Sequence, residues 1–380
     1  MRKLFFLTIF SLLLFECSNV YFIMPFPGSQ EINSVSVAYF LYSWRWVFRS
    51  VLVIVLFYSI VKTKWKRKWT LSIPILFLAV ICYQLNFKMA ADALFKQVEK
   101  ISFADAASNK VDLNRLVIGV VKDGVAKAYP INFLGYHHIV HDTINKQAIL
   151  VTYCTVCRTG RVFDARLNGK VEQFRLVGMD HYNALIEDKT TKSWWQQSTG
   201  KAITGKLKGA QLKEVYASQT TLKKWLQLYP RSLIMQADEK NYDNYSPTFK
   251  YENGTSTGAL TGTDKQSWKN KSWVIGVKIG HDSKVFDWNE LLKKELINSK
   301  VGSTPIFIAL SKDMKSFFAF ENLHSSTPIL KNDTIYLNNN RYTLNGQGID
   351  TKTNLKSVYA YQEFWHSWNY FQNNKQSVRK

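Results

Sequence analysis

Val117-Ile118-Gly119-Val120 recurs 157 residues further along the chain as Val274-Ile275-Gly276-Val277. At the same offset Lys127 meets Lys284, Asn132 meets Asn289, Leu134 meets Leu291 and Ile149 meets Ile306, with no gap. A second block, Leu212-Lys213 with Val215-Tyr216-Ala217, Gln219 and Trp225, returns at a shorter offset as Leu355-Lys356 with Val358-Tyr359-Ala360, Gln362 and Trp368. Two blocks in one order are what a unit used twice leaves behind, the second copy being shortened internally. Residues 116–121, 147–153, 171–177, 273–279 and 305–310 follow a period of two more than 3.6 and predict strands. Asp123-Gly124, Asn168-Gly169 and residues 338–340 fall between such runs and predict hairpin turns. Short helices are expected over 132–142, 222–229 and 288–297. The expected fold class is α+β and β-rich: N-terminal transmembrane helices followed by a duplicated mixed β domain. The first copy covers 91–237 and the second, degenerate copy 271–380. The polar stretch 238–270, rich in Asn, Thr, Gly and Lys, joins them.

Residues 1–90 read as a membrane region. Residues 1–24 are nearly continuous apolar sequence behind Arg2 and Lys3, the length that spans a hydrocarbon core. A cleaved signal peptide would have a shorter apolar run ending in small residues, and Phe15, Glu16 and Cys17 offer no such site. A second run, 35–61, is interrupted by Arg45 and Arg49, and a third, 70–87, surrounds Pro74. Either the arginines snorkel, or Tyr42, Trp44 and Trp46 hold the first half at the interface while 47–61 crosses. Lys62, Lys64, Lys66, Arg67 and Lys68 make a basic loop, whereas 25–36 holds no lysine or arginine. The positive-inside rule then places the amino terminus and the basic loop in the cytoplasm. With about three spans the rest of the chain lies on the extracytoplasmic side of the inner membrane. The formal net charge is +22 over 380 residues, but the lysines are scattered rather than gathered into one face. The expected partner is therefore the membrane and not nucleic acid.

Chemistry concentrates at Cys154-Thr155-Val156-Cys157, which follows an apolar strand and precedes Thr159-Gly160. Two thiols at this spacing close a disulfide or converge on a thiophilic metal, and Arg158 beside them favours a thiolate. At the offset of 157, Cys154 maps to Ser311 and Cys157 to Met314, so the second copy keeps the scaffold without the thiols. Cys17 and Cys82 fall in the membrane segments. His137-His138 and His141 precede the CxxC strand, and on a helix 137 and 141 share a face. Two cysteines with one or two imidazoles suit copper or zinc. Further site candidates are Arg158, Asp180 and His181, the last two also suited to a turn. Trp194 and Trp195 predict one core ring and one at its edge, and Phe364-Trp365-His366-Ser367-Trp368 predicts packing. There is no phosphate-binding glycine loop and no Ser-His-Asp order.

The order Val120, Ala128-Tyr129-Pro130, His137, Asp142, Val151-Thr152-Tyr153-Cys154, Cys157, Thr159-Gly160, Phe163-Asp164, Gly178, Asp188, Thr191, Ser193-Trp194, Gln196, Gly200, Gly205 and Gly209 resembles the bacterial domain-of-unknown-function 3179 family over most of residues 110–370. That family commonly has a His-Glu pair and then an Asn-Asp pair, so His137 fits while His138 and His141 depart from it. The resemblance implies that His137, Cys154 and Cys157 share one recurrent site, and implies no activity. The leading expectation is a membrane-anchored extracytoplasmic protein binding copper or zinc through Cys154, Cys157 and His137. The alternatives are a thiol-disulfide oxidoreductase, with His137 or Arg158 lowering the attacking thiol's pKa, and a non-catalytic envelope-binding or scaffold module.

Overall fold

A computed structural model describes residues 1–323 and 326–372. The chain divides into two compact units, the first made of Met1–Lys96, Phe174–Gln196 and Lys201–Ala210, the second of Gln97–Gln173, Gln197–Gly200 and Gln211–Lys380.

In the first unit the apolar N-terminal sequence forms the helix Arg2–Tyr21, and a second long apolar helical stretch runs over Trp69–Lys88; both are long and apolar enough to cross a membrane. Pro74 lies in the first turn of the α-helical part, Ser72–Tyr83, where its missing N–H costs no helical hydrogen bond. The expected middle span is instead two helices, Val35–Ser43 and Arg45–Lys62, bent by 59° at Trp44, which makes a third span only if the pair counts as one. Phe5, Ile9, Leu12 and Leu78 pack together at the centre. Phe6, Phe10, Ile54, Phe57, Leu76 and Phe77 face outward as exposed apolar side chains.

Arg49 does not snorkel. It forms two hydrogen bonds of 2.7 Å to the carboxylate of buried Glu16 and a third to Asn86, whose amide returns one to Glu16. The arginine therefore binds inside the helical layer. Arg45 lies over the Tyr42 ring, 3.8 Å from its centre.

The remainder of this unit is a four-stranded antiparallel sheet: Phe174–Asp180, Asn183–Asp188, Trp194–Gln196 and Ala202–Thr204. The predicted strand at 171–177 begins later because 172–173 lie outside the ladder. Both Trp194 and Trp195 are fully buried, against the expectation of one at the edge, because each indole N–H finds a carboxylate: Glu187 at 3.0 Å and Asp188 at 3.0 Å. Asp188 also accepts from Thr191 and Ser193, which ties the turn between these strands.

The second unit repeats one path. Leu116–Lys122 pairs with Val125–Pro130 and with Ser218–Thr221; Trp273–Ile279 pairs in the same way with Asp282–Asp287 and Tyr359–Phe364. In the first half Ile131–His137 leads into the meander Ile139–Ile144, Gln147–Cys154 and Thr159–Asp164. In the second, Trp288–Lys294 leads into Leu296–Val301, Thr304–Leu310 and Phe317–Glu321.

Both helices are shorter than predicted and end at a left-handed residue, His138 (φ 59°) and Glu295 (φ 58°). The chain turns there because the next strand finds ladder partners, Ile139 opposite Thr152 and Leu296 opposite Ala309. His137 and His141 are thus on a helix and a strand and do not share a helical face.

Two glycines fix the packing of the helices that close each half. A Cβ on Gly119 would stand 2.2 Å from the Trp225 ring, and one on Gly276 would stand 1.9 Å from Trp368. Trp225 cannot retreat freely, since its Nε1 donates to Ser232 Oγ at 2.7 Å. Gly119→Ala and Gly276→Ala should each destabilise the protein by about 1–3 kcal/mol through overpacking. A lower denaturant midpoint of the detergent-solubilised protein checks this; an unchanged midpoint would show that the indoles yield.

Candidate functional site

The CxxC residues form the closed end of a hairpin. Cys154 ends one strand opposite Thr159, and residues 155–158 make the turn, with Arg158 in the left-handed region at φ 56°. Gly160 follows because its Cβ would meet Ile118 Cδ1 at 2.7 Å. Three successive turn carbonyls are held from outside the hairpin. Tyr251 donates to Thr155 O (3.0 Å), Lys271 Nζ to Val156 O (2.7 Å) and the Phe364 amide to Cys157 O (3.0 Å). A turn fixed at three successive carbonyls presents its side chains in one place.

Cys154 and Cys157 are both fully buried and are not joined in a disulfide. Cys157 hydrogen-bonds to Cys154 and to Ser367. Its Sγ lies 3.8 Å from Nε2 of His366, in the helix Trp365–Phe371 of the second half. The other ring nitrogen, Nδ1, is 2.8 Å from the carbonyl of Asn270. A carbonyl only accepts, so Nδ1 carries the proton and Nε2 turns its lone pair toward the sulfur. Burial pushes the Cys157 thiol well above its ordinary pKa, reinforced by Cys154. Burial, with the Lys271 charge, pushes His366 down to about 4. Near neutral pH the pair is thus a thiol beside a neutral imidazole.

Lys271 completes this side. Its ammonium bonds the carbonyls of Val156 and Leu260 and sits 4.8 Å from the centre of the Phe364 ring; burial pushes its pKa down, opposed by the two cysteines. The helix bearing His366 is clamped to the hairpin by a buried ion pair between Arg161 and Glu363, whose second carboxylate oxygen accepts from Ser367 at 3.0 Å.

The other predicted residues take different places. His137 is buried, and its Nε2 is 2.6 Å from the Tyr245 hydroxyl. Beyond Tyr245 opens a cleft of about 1090 Å³, whose lining includes Phe133, Arg115 and Asp238 but no sulfur. His138 and His141 are pushed down to about 4 by burial, and His138 Nδ1 faces its neighbour's carbonyl, Tyr136 O. Arg158 spends its charge elsewhere than predicted: Nε donates to Gln362, Nη1 to Tyr251 O, and the guanidinium lies 3.8 Å over Trp273. It is not among the causes acting on Cys157, whose pKa moves up and not down. Asp180 and His181 belong to the first unit, where they bond each other at 2.6 Å at a hairpin turn with His181 and Tyr182 at positive φ. Among the described residues no three or more His, Cys, Asp or Glu side chains converge as a ready-made metal cage.

His366, Lys271 and Ser367 were not read from the sequence as site residues. The recurring sequence blocks contained a signal: in the second block His366 stands where the first block has Lys223, the same kind of difference that sets the thiols against Ser311 and Met314.

These features define an α+β protein with apolar N-terminal helices and a buried dithiol beside a neutral imidazole. The chain belongs to the family described as "Protein of unknown function (DUF3179)", whose model matches residues 96–375. No curated protein and no solved structure matches it.

Two measurements probe the site's electrostatics. Histidines of the unfolded chain take up protons near pH 6.5, whereas His138, His141 and His366 do so only near 4 when folded. Between those values the unfolded chain holds more protons, so stability falls as pH drops from about 6.5 to 4 and is flat above. For His138 alone the loss is about 3 kcal/mol, read from denaturant midpoints across that range; a flat profile would contradict the burial. Glu363→Ala should cost about 3–5 kcal/mol, because it leaves the buried Arg161 cation with only the longer 3.6 Å contact to Glu214, and Arg161→Met in the same chain should recover much of that loss.

Proposed function

We propose that this protein is a membrane-anchored binder of a soft metal cation, copper or zinc, with Cys154 and Cys157 supplying the core ligands. The observation that carries this is the orientation of His366: its Nδ1–H is held by a backbone carbonyl and its Nε2 lone pair faces Cys157. Metal-ligating histidines are held in this way by their second nitrogen. His137, the third ligand expected from the sequence, bonds Tyr245 through Nε2, so His366 takes the place of the imidazole in this reading. Burial suits the role, because both thiols must lose protons on binding and the metal replaces the charge that desolvation disfavours.

Membrane anchoring is supported by the apolar helices. The basic loop at 62–68 favours the extracytoplasmic side for the domain. We infer as well that the second unit arose by duplication, from the matching strand order and the matching left-handed residues at 138 and 295. On this inference the second copy has lost the thiols and lends the first its imidazole.

Protein purified without chelator should carry about one equivalent of copper or zinc by elemental analysis, lost in Cys154→Ser. Apparent affinity should rise at least about tenfold per pH unit between 6 and 8, because at least one thiol proton leaves on binding. Metal-free wild type that also fails to take up added copper or zinc sinks the proposal.

A second reading is favoured by the contact between the thiols. Cys154 and Cys157 would give up two protons and two electrons to a partner disulfide, closing their own S–S bond and releasing two partner thiols. Their complete burial ranks it second, since a partner sulfur reaches neither without opening the turn. A reversible two-electron couple in a glutathione series supports it; a pair that stays reduced and metal-bound excludes it.

A further inference from the structure

We propose, on the basis of the two-sulfur site above, that it selects a monovalent soft cation, copper(I) being the biological case, over divalent zinc, and that Lys271 sets this choice. Two independent observations carry it.

The first is coordination. Zinc sites draw on four ligands, or three and a water, and among the described residues no group of three or more candidate ligands converges. Two thiolates satisfy copper(I), which is soft and accepts low coordination. His366, approaching Cys157 alone at 3.8 Å, then serves as a weak third donor.

The second is charge. Two thiolates with a monovalent cation leave one net negative charge, whereas with a divalent cation they leave none. Lys271 Nζ, held 2.7 Å from the Val156 carbonyl between the two cysteines, brings a positive charge to the turn, and no carboxylate pairs with it among the described residues. The buried acid on this side, Glu363, is paired with Arg161. The protein therefore neutralises a dithiolate copper(I) complex, while a zinc complex accumulates positive charge in a desolvated place. Lys271 acts as a positioning and charge-setting residue, since it also holds the Val156 carbonyl inside the CxxC turn.

The test uses the full chain in detergent under anaerobic conditions. Copper(I) is competed against a chromophoric copper(I) chelator, and zinc(II) against a chromophoric zinc chelator. Wild type should hold one copper(I) with far higher affinity than zinc(II). Lys271→Met should weaken copper(I) binding on the order of tenfold or more and strengthen zinc(II) binding. Lys271→Arg, which keeps the charge, should retain the preference, separating charge from loss of the turn contact. If wild type prefers zinc, or if Lys271→Met leaves the ratio of the two affinities unchanged while the protein stays folded by circular dichroism, the valence selection is wrong and the two-sulfur site stands. If neither cation binds, the site itself is wrong.

Discussion

The buried ion pair between Arg161 and Glu363 is the constraint on which the site depends. Arg161 lies on the strand that leaves the CxxC turn, and Glu363 on the strand that delivers His366. Arg161 also bonds the carbonyls of Gly160 and Ser198 and lies 3.5 Å over the Tyr361 ring. Desolvating two charges brings little net stability, but leaving one unpaired is costly, so the pair fixes register more than it adds strength. Slipping one strand by a residue would strand both charges. The sulfur and the imidazole thereby meet although 209 positions separate them.

The first unit solves a similar problem with a similar device. Glu16, Arg49 and Asn86 come from three helical segments and bond one another within the helical layer, Asn86 also donating to the Cys82 carbonyl. In an apolar bundle such a cluster specifies which helix faces meet, because aliphatic packing alone discriminates weakly between rotations. In both units a few buried polar groups choose the arrangement that apolar area stabilises.

Burial also decides the chemistry. The same desolvation that raises the Cys157 thiol lowers His366. Both partners are neutral in the resting protein, unlike the thiolate and imidazolium pair of an activated nucleophile. A neutral imidazole with its lone pair aimed at a thiol is prepared to give that lone pair away, to a proton or to a metal. Lys271 supplies the compensating charge when the thiols ionise. A site built this way stays quiet until something replaces the protons.

The sequence by itself determined the β-rich architecture and the apolar N-terminal region. Strand alternation, turn dipeptides and a recurrence at fixed offset are local or self-referential signals, and Trp273–Ile279 emerged with the bounds that its pattern gave. It did not determine that residues 132–142 break at His138, because helical spacing through His141 is equally compatible with a helix that stops and a strand that starts. That choice belongs to the ladder opposite, where Ile139 finds Thr152. Nor did it assign the imidazole: His137 is near in sequence and is held by Tyr245, while His366 is remote and reaches the sulfur. Which side chains share a pocket is fixed by strand pairing and buried charge across long separations, and such pairings leave no periodicity in the chain that makes them.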